Sequence, residues 1–161
     1  MSTPLQIRPY RRQDAKQLTE IFYQTIHSVG HQYYNQAQVN AWAPLPINYE
    51  HWQQRLDQTP PLVAVMGSRI VGFMTLAENG HIEWSYTHSQ YQRQGIASQL
   101  YQTLEQNAQA LGLTRLTVNA SRFAEPFFTR QGFTRLKQLR TLKDGQELVN
   151  WQMEKYLPAS E

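Results

Sequence analysis

His81-Ile82-Glu83-Trp84-Ser85-Tyr86-Thr87-His88-Ser89-Gln90-Tyr91-Gln92-Arg93-Gln94-Gly95-Ile96-Ala97 is the stretch from which the rest of the chain can be placed. Ile82, Trp84 and Tyr86 alternate with His81, Glu83, Ser85 and Thr87, the two-residue period of a strand with two unlike faces. Simple alternation puts His81 and Glu83 on one face and Tyr86 on the other. The strand ends near His88, a short polar loop follows, and a helix begins near Gln94. From there Ile96, Ala97, Leu100, Tyr101, Leu104, Ala108 and Leu111 recur every three or four residues, and Gly112 supplies a stop. Unsatisfied amides and the positive end of that helix converge on Arg93 to Ser98, where an anionic phosphate fits. Gly95 lets a ligand approach the backbone, Ala97 preserves the clearance, and Arg93 adds a charge-assisted contact. An ordinary helix start has the same local signature, so these residues permit an anion site without specifying one.

Upstream, Leu62 to Met66 and Ile70 to Leu76 flank Gly67-Ser68 and read as an antiparallel hairpin; Glu78-Asn79-Gly80 then turns the chain into the strand quoted above. Before Pro60-Pro61 the spacing is helical. Asp14 and Gln17 have capping-box spacing ahead of Leu18, Ile21, Phe22, Thr25, Ile26 and Val29, and Asn48 caps a shorter segment that ends near Asp57. Between them lie Tyr33, Tyr34, Val39 and Trp42, closed by Pro44 and Pro46. Leu5, Ile7 and Pro9 mark a short first strand. Downstream, Leu113, Leu116 and Val118 mark another strand, Glu125 to Arg130 a short helix, and Thr134 to Leu142 with Glu147 to Tyr156 a terminal hairpin turned at Lys143-Asp144-Gly145. This order predicts a single α/β domain with one central mixed sheet covered by helices.

The 161 residues suffice for one such core, and neither a linker nor a repeat divides them. Fifteen Lys and Arg against twelve Asp and Glu give +3, too little to mark a nucleic-acid-binding face, and Arg11-Arg12 with the scattered C-terminal bases form no groove pattern, so no nucleic acid is expected as a partner. No cysteine is present, which removes thiolate nucleophiles and Cys-ligated metals, and five histidines without compact spacing give no metal site. No run approaches the about eighteen apolar residues of a membrane span, and Met1 to Arg8 lacks a basic segment followed by an apolar one. A cytoplasmic protein with no membrane partner is expected.

Gln92-Arg93-Gln94-Gly95-Ile96-Ala97 resembles the Gln/Arg-x-x-Gly-x-Gly/Ala pyrophosphate loop of the GCN5-related N-acetyltransferase (GNAT) family, in the same strand-to-helix setting. Ser121-Arg122-Phe123-Ala124-Glu125-Pro126-Phe127-Phe128-Thr129-Arg130-Gln131-Gly132-Phe133 resembles the family's second hallmark, a small polar residue opening a loop and Gly-Phe closing a short helix. The resemblance runs from Leu5 to Tyr156, residues 5–156 as one domain with a splayed sheet.

It implies acetyl-CoA as acyl-donor cosubstrate, with the pantetheine arm between the fourth and fifth strands and the pyrophosphate on the amides of Arg93, Gln94, Gly95, Ile96, Ala97 and Ser98. Ser85 and Thr87 fall where backbone groups orient the acetyl group and pantetheine; Asn119 or Ser121 contacts the cofactor, and Phe128 packs beside it. The implied reaction is direct transfer of acetyl to a primary amine of a small molecule or peptide, with Glu83 or His81 as general base. The missing Cys argues for transfer without an acetyl-cysteine intermediate. Many family members carry Tyr where this chain has Phe128, and Phe has no proton to give to a departing thiolate; Tyr86, Tyr91, Tyr33 and Tyr34 are the other phenols in reach. Tyr33, Tyr34 and Trp42 lie in the family's acceptor-side cover, where aromatic faces attract a cationic amine. Two alternatives stay open: a catalytically weak acyl-CoA-binding sensor, which Phe128 favours, and a homodimer that completes the acceptor pocket.

Overall fold

Turn chemistry and alternation produce the first half of the sheet. β1 (Leu5–Pro9), β2 (Leu62–Met66), β3 (Arg69–Leu76) and β4 (His81–Thr87) run antiparallel in turn, and the whole sheet has seven strands in the order β1-β2-β3-β4-β5-β7-β6. β5 (Arg115–Ala120) joins β4 in parallel, while β6 (Thr134–Lys143) and β7 (Gln146–Tyr156) form the terminal hairpin, β7 lying against β5. The structure is a computed structural model that describes residues 4–158. The first three residues of the N-terminal stretch read above, and the last three of the chain, lie outside it.

Helices cover both faces. α1 (Ala15–Ser28), α2 (Gln36–Trp42) and α3 (Tyr49–Gln58) bury Leu18, Phe22, Ile26, Val39, Trp52 and Leu56 against Val63, Phe73 and Trp84. α4 (Ile96–Ala110) and α5 (Glu125–Arg130) bury Ile96, Leu100, Leu104 and Phe128 against Val71, Met74, Ile82, Leu116 and Met153. The three- and four-residue spacing from Ile96 through Ala108 is thus the spacing of the buried face of α4, whereas Leu111, expected on that face, lies past the helix end and is exposed. Leu104 is wholly buried there; truncating it to Ala costs on the order of 2–5 kcal/mol. No helix of the described residues is long and apolar enough to cross a membrane, and no group of three or more His, Asp or Glu is gathered for a metal ion among them.

Three local readings change. Asp14 does not cap α1 through Gln17: its carboxylate accepts from both terminal guanidinium nitrogens of Arg8, at 2.8 and 3.0 Å, and from the Arg11 amide at 2.8 Å. The Tyr33 to Trp42 segment contains α2, started by a capping box in which Asn35 Oδ1 accepts from the Gln38 amide and Gln38 Oε1 accepts from the Asn35 amide. The third change matters most for function. Phe73 stands opposite Tyr86 and Met74 opposite Ser85, but Leu76 stands opposite Ile82, so Thr75 alone faces both Glu83 and Trp84. That bulge turns two consecutive residues to one side. Arg55 of α3 accordingly meets Glu83 and Trp84 together, and Tyr86, expected on the face away from Glu83, packs edge-on against Phe22 of α1 on this same side.

Candidate functional site

β4 and β5 pair at His81 with Thr117 and Ile82 with Val118, and at no residue beyond. β5 continues along β7 through Asn119 and Ala120, whereas β4 stays with β3 through Thr87, so the two central strands part after Ile82. The His88 amide donates to the Val71 carbonyl at 2.8 Å. By two-residue alternation the backbone groups of Ser85 and Thr87 then face away from β3, into the opening. The Thr87 carbonyl is already engaged there, accepting from Thr25 Oγ1 at 3.1 Å and Gln92 Nε2 at 2.6 Å. Among the described residues, Ser85 and the Thr87 amide are left as the free edge.

The opening leads to the start of α4. A short 3-10 turn at Ser89–Tyr91 is held to α1 by a Gln24–Ser89 side-chain hydrogen bond. Arg93 and Gly95 both take left-handed backbone, at φ 62° and 80°, a conformation that gathers successive amides into a concavity. Among the described residues the amides of Arg93 through Ser98 meet no protein acceptor. Arg93, Gln94 and Gly95 are exposed, Ala97 and Ser98 half-buried. A Cβ built on Gly95 would find nothing within 4 Å, so no protein atom demands the glycine there beyond its φ. Ile96 is buried in the core and offers the loop only its amide.

A cavity of about 460 Å³ occupies the mouth of the opening. Its lining is rich in aromatic side chains, with Phe22 packed on Trp52 and Tyr86, Trp52 on Trp84, and Trp42 on Tyr34 and Phe123. The Glu83 carboxylate, 40% exposed, receives Arg55 at 3.2 Å. Burial pushes the Tyr86 phenol well above its ordinary value, with the Trp42 side chain and the Arg55 charge opposing and Tyr34 and Glu83 reinforcing. Tyr86 therefore keeps its proton through neutral pH. Burial also raises Tyr34, opposed by the Arg122 amide. That hydroxyl is fully committed, donating to the Val149 carbonyl at 3.0 Å and accepting from the Arg122 amide at 2.9 Å.

A family model for the acetyltransferase (GNAT) domain matches residues 31–155, most of the chain and both strands that part at this site. The protein belongs to the GNAT family. This GNAT chain is 34% identical over 154 residues to the uncharacterised N-acetyltransferase YafP of Escherichia coli K12, covering 96% of this chain and 97% of that one. A solved GCN5-related N-acetyltransferase from Rhodopseudomonas palustris, described as an aminotransferase of class II, is similar at a TM-score of 0.91 and 30% identity over 98% of both chains. The PaiA N-acetyltransferase of Thermoplasma acidophilum, solved with coenzyme A, is similar in fold at a TM-score of 0.75 and 19% identity, over 96% of this chain and 99% of that one.

Within this GNAT domain the expected site residues separate into three groups. Glu83, Ser85, Asn119, Ser121, Phe128, Tyr34 and Trp42 all line the cavity. Thr87 and the Arg93 to Ser98 loop lie along the opening beyond it. His81 and Tyr33 do neither: His81 Nδ1 lies 2.9 Å from Thr117 Oγ1 at the closed end of the β4–β5 pair, and Tyr33 is an exposed ring against Phe123. Phe128 is buried among Phe127 and Phe133, an apolar wall without a hydroxyl. Sequence reasoning missed Arg55, Lys143 and Asn150. Trp52, three residues before Arg55 on α3, was the available signal, because that spacing stacks two helical side chains; nothing local announces the other two, which the terminal hairpin delivers.

Proposed function

We propose that the protein transfers an acetyl group from acetyl-CoA directly to the primary amine of a small molecule. The observation that carries this reading is the parting of β4 from β5 after Ile82, which joins a free strand edge, a loop of unengaged amides and an aromatic cavity into one path. The residues present fit an acyl-CoA. Ser85 and the Thr87 amide offer the edge to an amide-rich arm, and the Arg93 to Ser98 amides with the helix end offer donors to phosphates. Acetyl-CoA, when bound, supplies the activated thioester carbonyl.

Glu83 takes one proton from the incoming ammonium, directly or through one water, and so exposes the nitrogen lone pair. The amine nitrogen bonds to the acetyl carbon as the carbon–sulfur bond breaks; the departing sulfur takes its proton from a donor of the site, and the second amine proton, lost as the amide forms, restores that donor. Phe128 has no proton for that sulfur, and the Tyr34 proton is held by Val149. Tyr86, on the same side as Glu83, is the donor we assign. The aromatic walls exclude water from the acyl group and orient the acceptor.

Calorimetric titration of acetyl-CoA and CoA, followed by free-thiol release with a broad amine panel, tests this reading. Binding with acceptor-dependent release supports it. Failure to bind acetyl-CoA overturns it, and binding with no turnover on any amine favours the sensor that Phe128 suggests.

A further inference from the structure

Arg55 carries more hydrogen-bonding capacity than the protein uses. Its guanidinium lies over the indoles of Trp52 and Trp84, at 5.2 and 4.8 Å from the ring centroids. A single side-chain hydrogen bond, to Glu83 Oε1 at 3.2 Å, is made among the described residues. A guanidinium has five N–H donors in a rigid fork, so most of this one is left for the cavity that Arg55 lines. The two aromatic faces orient the fork before any ligand arrives, the arrangement that suits bidentate capture of a carboxylate or similar oxyanion.

The charge balance of the cavity points the same way. Arg55 and Lys143 stand against Glu83 as the one carboxylate in its lining. Lys143 Nζ donates to the Trp42 carbonyl at 3.3 Å, which holds its charge at the rim. An acceptor that carries only ammonium charge, such as a polyamine or a basic side chain, meets a net positive wall. An acceptor that also carries an oxyanion complements both cations, and by drawing on the Arg55 fork it leaves Glu83 free to face the ammonium. The volume of about 460 Å³ suits a small molecule.

Resting on the acetyl-transfer reading above, we infer that the acceptor is a small zwitterionic amine, with a carboxylate or equivalent oxyanion held by Arg55 and an apolar body against Trp52, Trp84 and Phe22.

Each standard amino acid is compared with its carboxamide and its decarboxylated amine in wild type, Arg55→Met and Arg55→Lys. The readouts are thiol release and, with CoA present, quenching of tryptophan fluorescence on acceptor binding. Melting temperatures confirm that the variants are folded. We expect at least one amino acid to be preferred about ten-fold or more over both counterparts, in kcat/KM or in binding. That preference should fall below about threefold in Arg55→Met and be partly kept in Arg55→Lys. Carboxamides or decarboxylated amines that match the acids across the panel in wild type, or a preference that persists in folded Arg55→Met, overturn the inference. Calorimetry on the same preparations separates the two failures: without acetyl-CoA binding both readings fall, whereas intact binding with equal acetylation of carboxamides or decarboxylated amines removes this one alone.

Discussion

His81 Nδ1 and Thr117 Oγ1 lie 2.9 Å apart across the first pair of the parallel β4–β5 contact, at the end of the opening that stays shut. The histidine fastens the sheet and does not reach the cavity, while Glu83, two residues on, lines it. His81→Ala should therefore lower stability by about 1 kcal/mol, the worth of one partly buried hydrogen bond, and leave the pH profile of turnover unchanged. Glu83→Gln should lower turnover on the order of 10²-fold while acetyl-CoA still binds. Thermal melts and thiol release against pH read both. A pH profile displaced by His81→Ala would return the base to the histidine.

Gly95 and Gly112 provide a matched pair at the two ends of α4. Both have positive φ, 80° and 78°, and a Cβ on either would touch nothing within 4 Å. Alanine at each position meets the same left-handed penalty of about 1–2 kcal/mol. Only Gly95 lies within the run of unengaged amides from Arg93 to Ser98. Gly95→Ala should weaken acetyl-CoA binding about ten-fold or more, and Gly112→Ala should lower the melting temperature comparably with affinity unchanged. Equal affinity in both variants would remove the phosphate role of the loop.

Much of this architecture is legible in the order of residues because each signal is local. Ile96, Leu100, Leu104 and Ala108 announce α4 and are its buried face. Asn48 announces α3 and accepts from the His51 amide at 3.0 Å. What alternation alone conceals is the bulge, since one extra residue between Ile82 and Ser85 reverses every later side chain. Glu83 lines the cavity, but its partner Arg55 lies 28 residues upstream on α3, too far for any local spacing to link the two. Asp14 misleads for a related reason: its spacing to Gln17 suggests a cap, while Arg8, six residues back, offers a charged bond that a neutral amide does not match.

Tyr86→Phe removes the phenol that Phe128 cannot replace. Proton transfer of this kind contributes only part of the total rate, and burial makes Tyr86 a weaker acid than a free tyrosine, so turnover should fall no more than about ten-fold with acetyl-CoA affinity kept. The raised value also means that the proton persists to higher pH than usual. Wild-type turnover should show no alkaline loss near pH of about 10, where an ordinary tyrosine ionises. An unchanged rate in Tyr86→Phe would assign the sulfur proton to water.

The Arg8–Asp14 pair predicts a pH-dependent loss of stability at the opposite end of the scale. Burial alone would raise the Asp14 carboxyl, but the two Arg8 hydrogen bonds and the Arg11 amide outweigh it and hold the group below its ordinary value. The native state therefore keeps Asp14 ionised to lower pH than the unfolded chain does. Its stabilisation is complete above the unfolded carboxylate value of about 3.9 and disappears as pH falls through the lower native value. The pair is well shielded, with side chains 22% and 5% exposed. Asp14→Asn, which turns an amide toward Arg8, should then cost about 2 kcal/mol at neutral pH. Denaturant unfolding from pH 7 downward should find that gap constant until about pH 4 and closing below it. A gap that stays constant to the lowest pH at which the protein folds would show that the neutral-pH cost comes from packing and not from the charge.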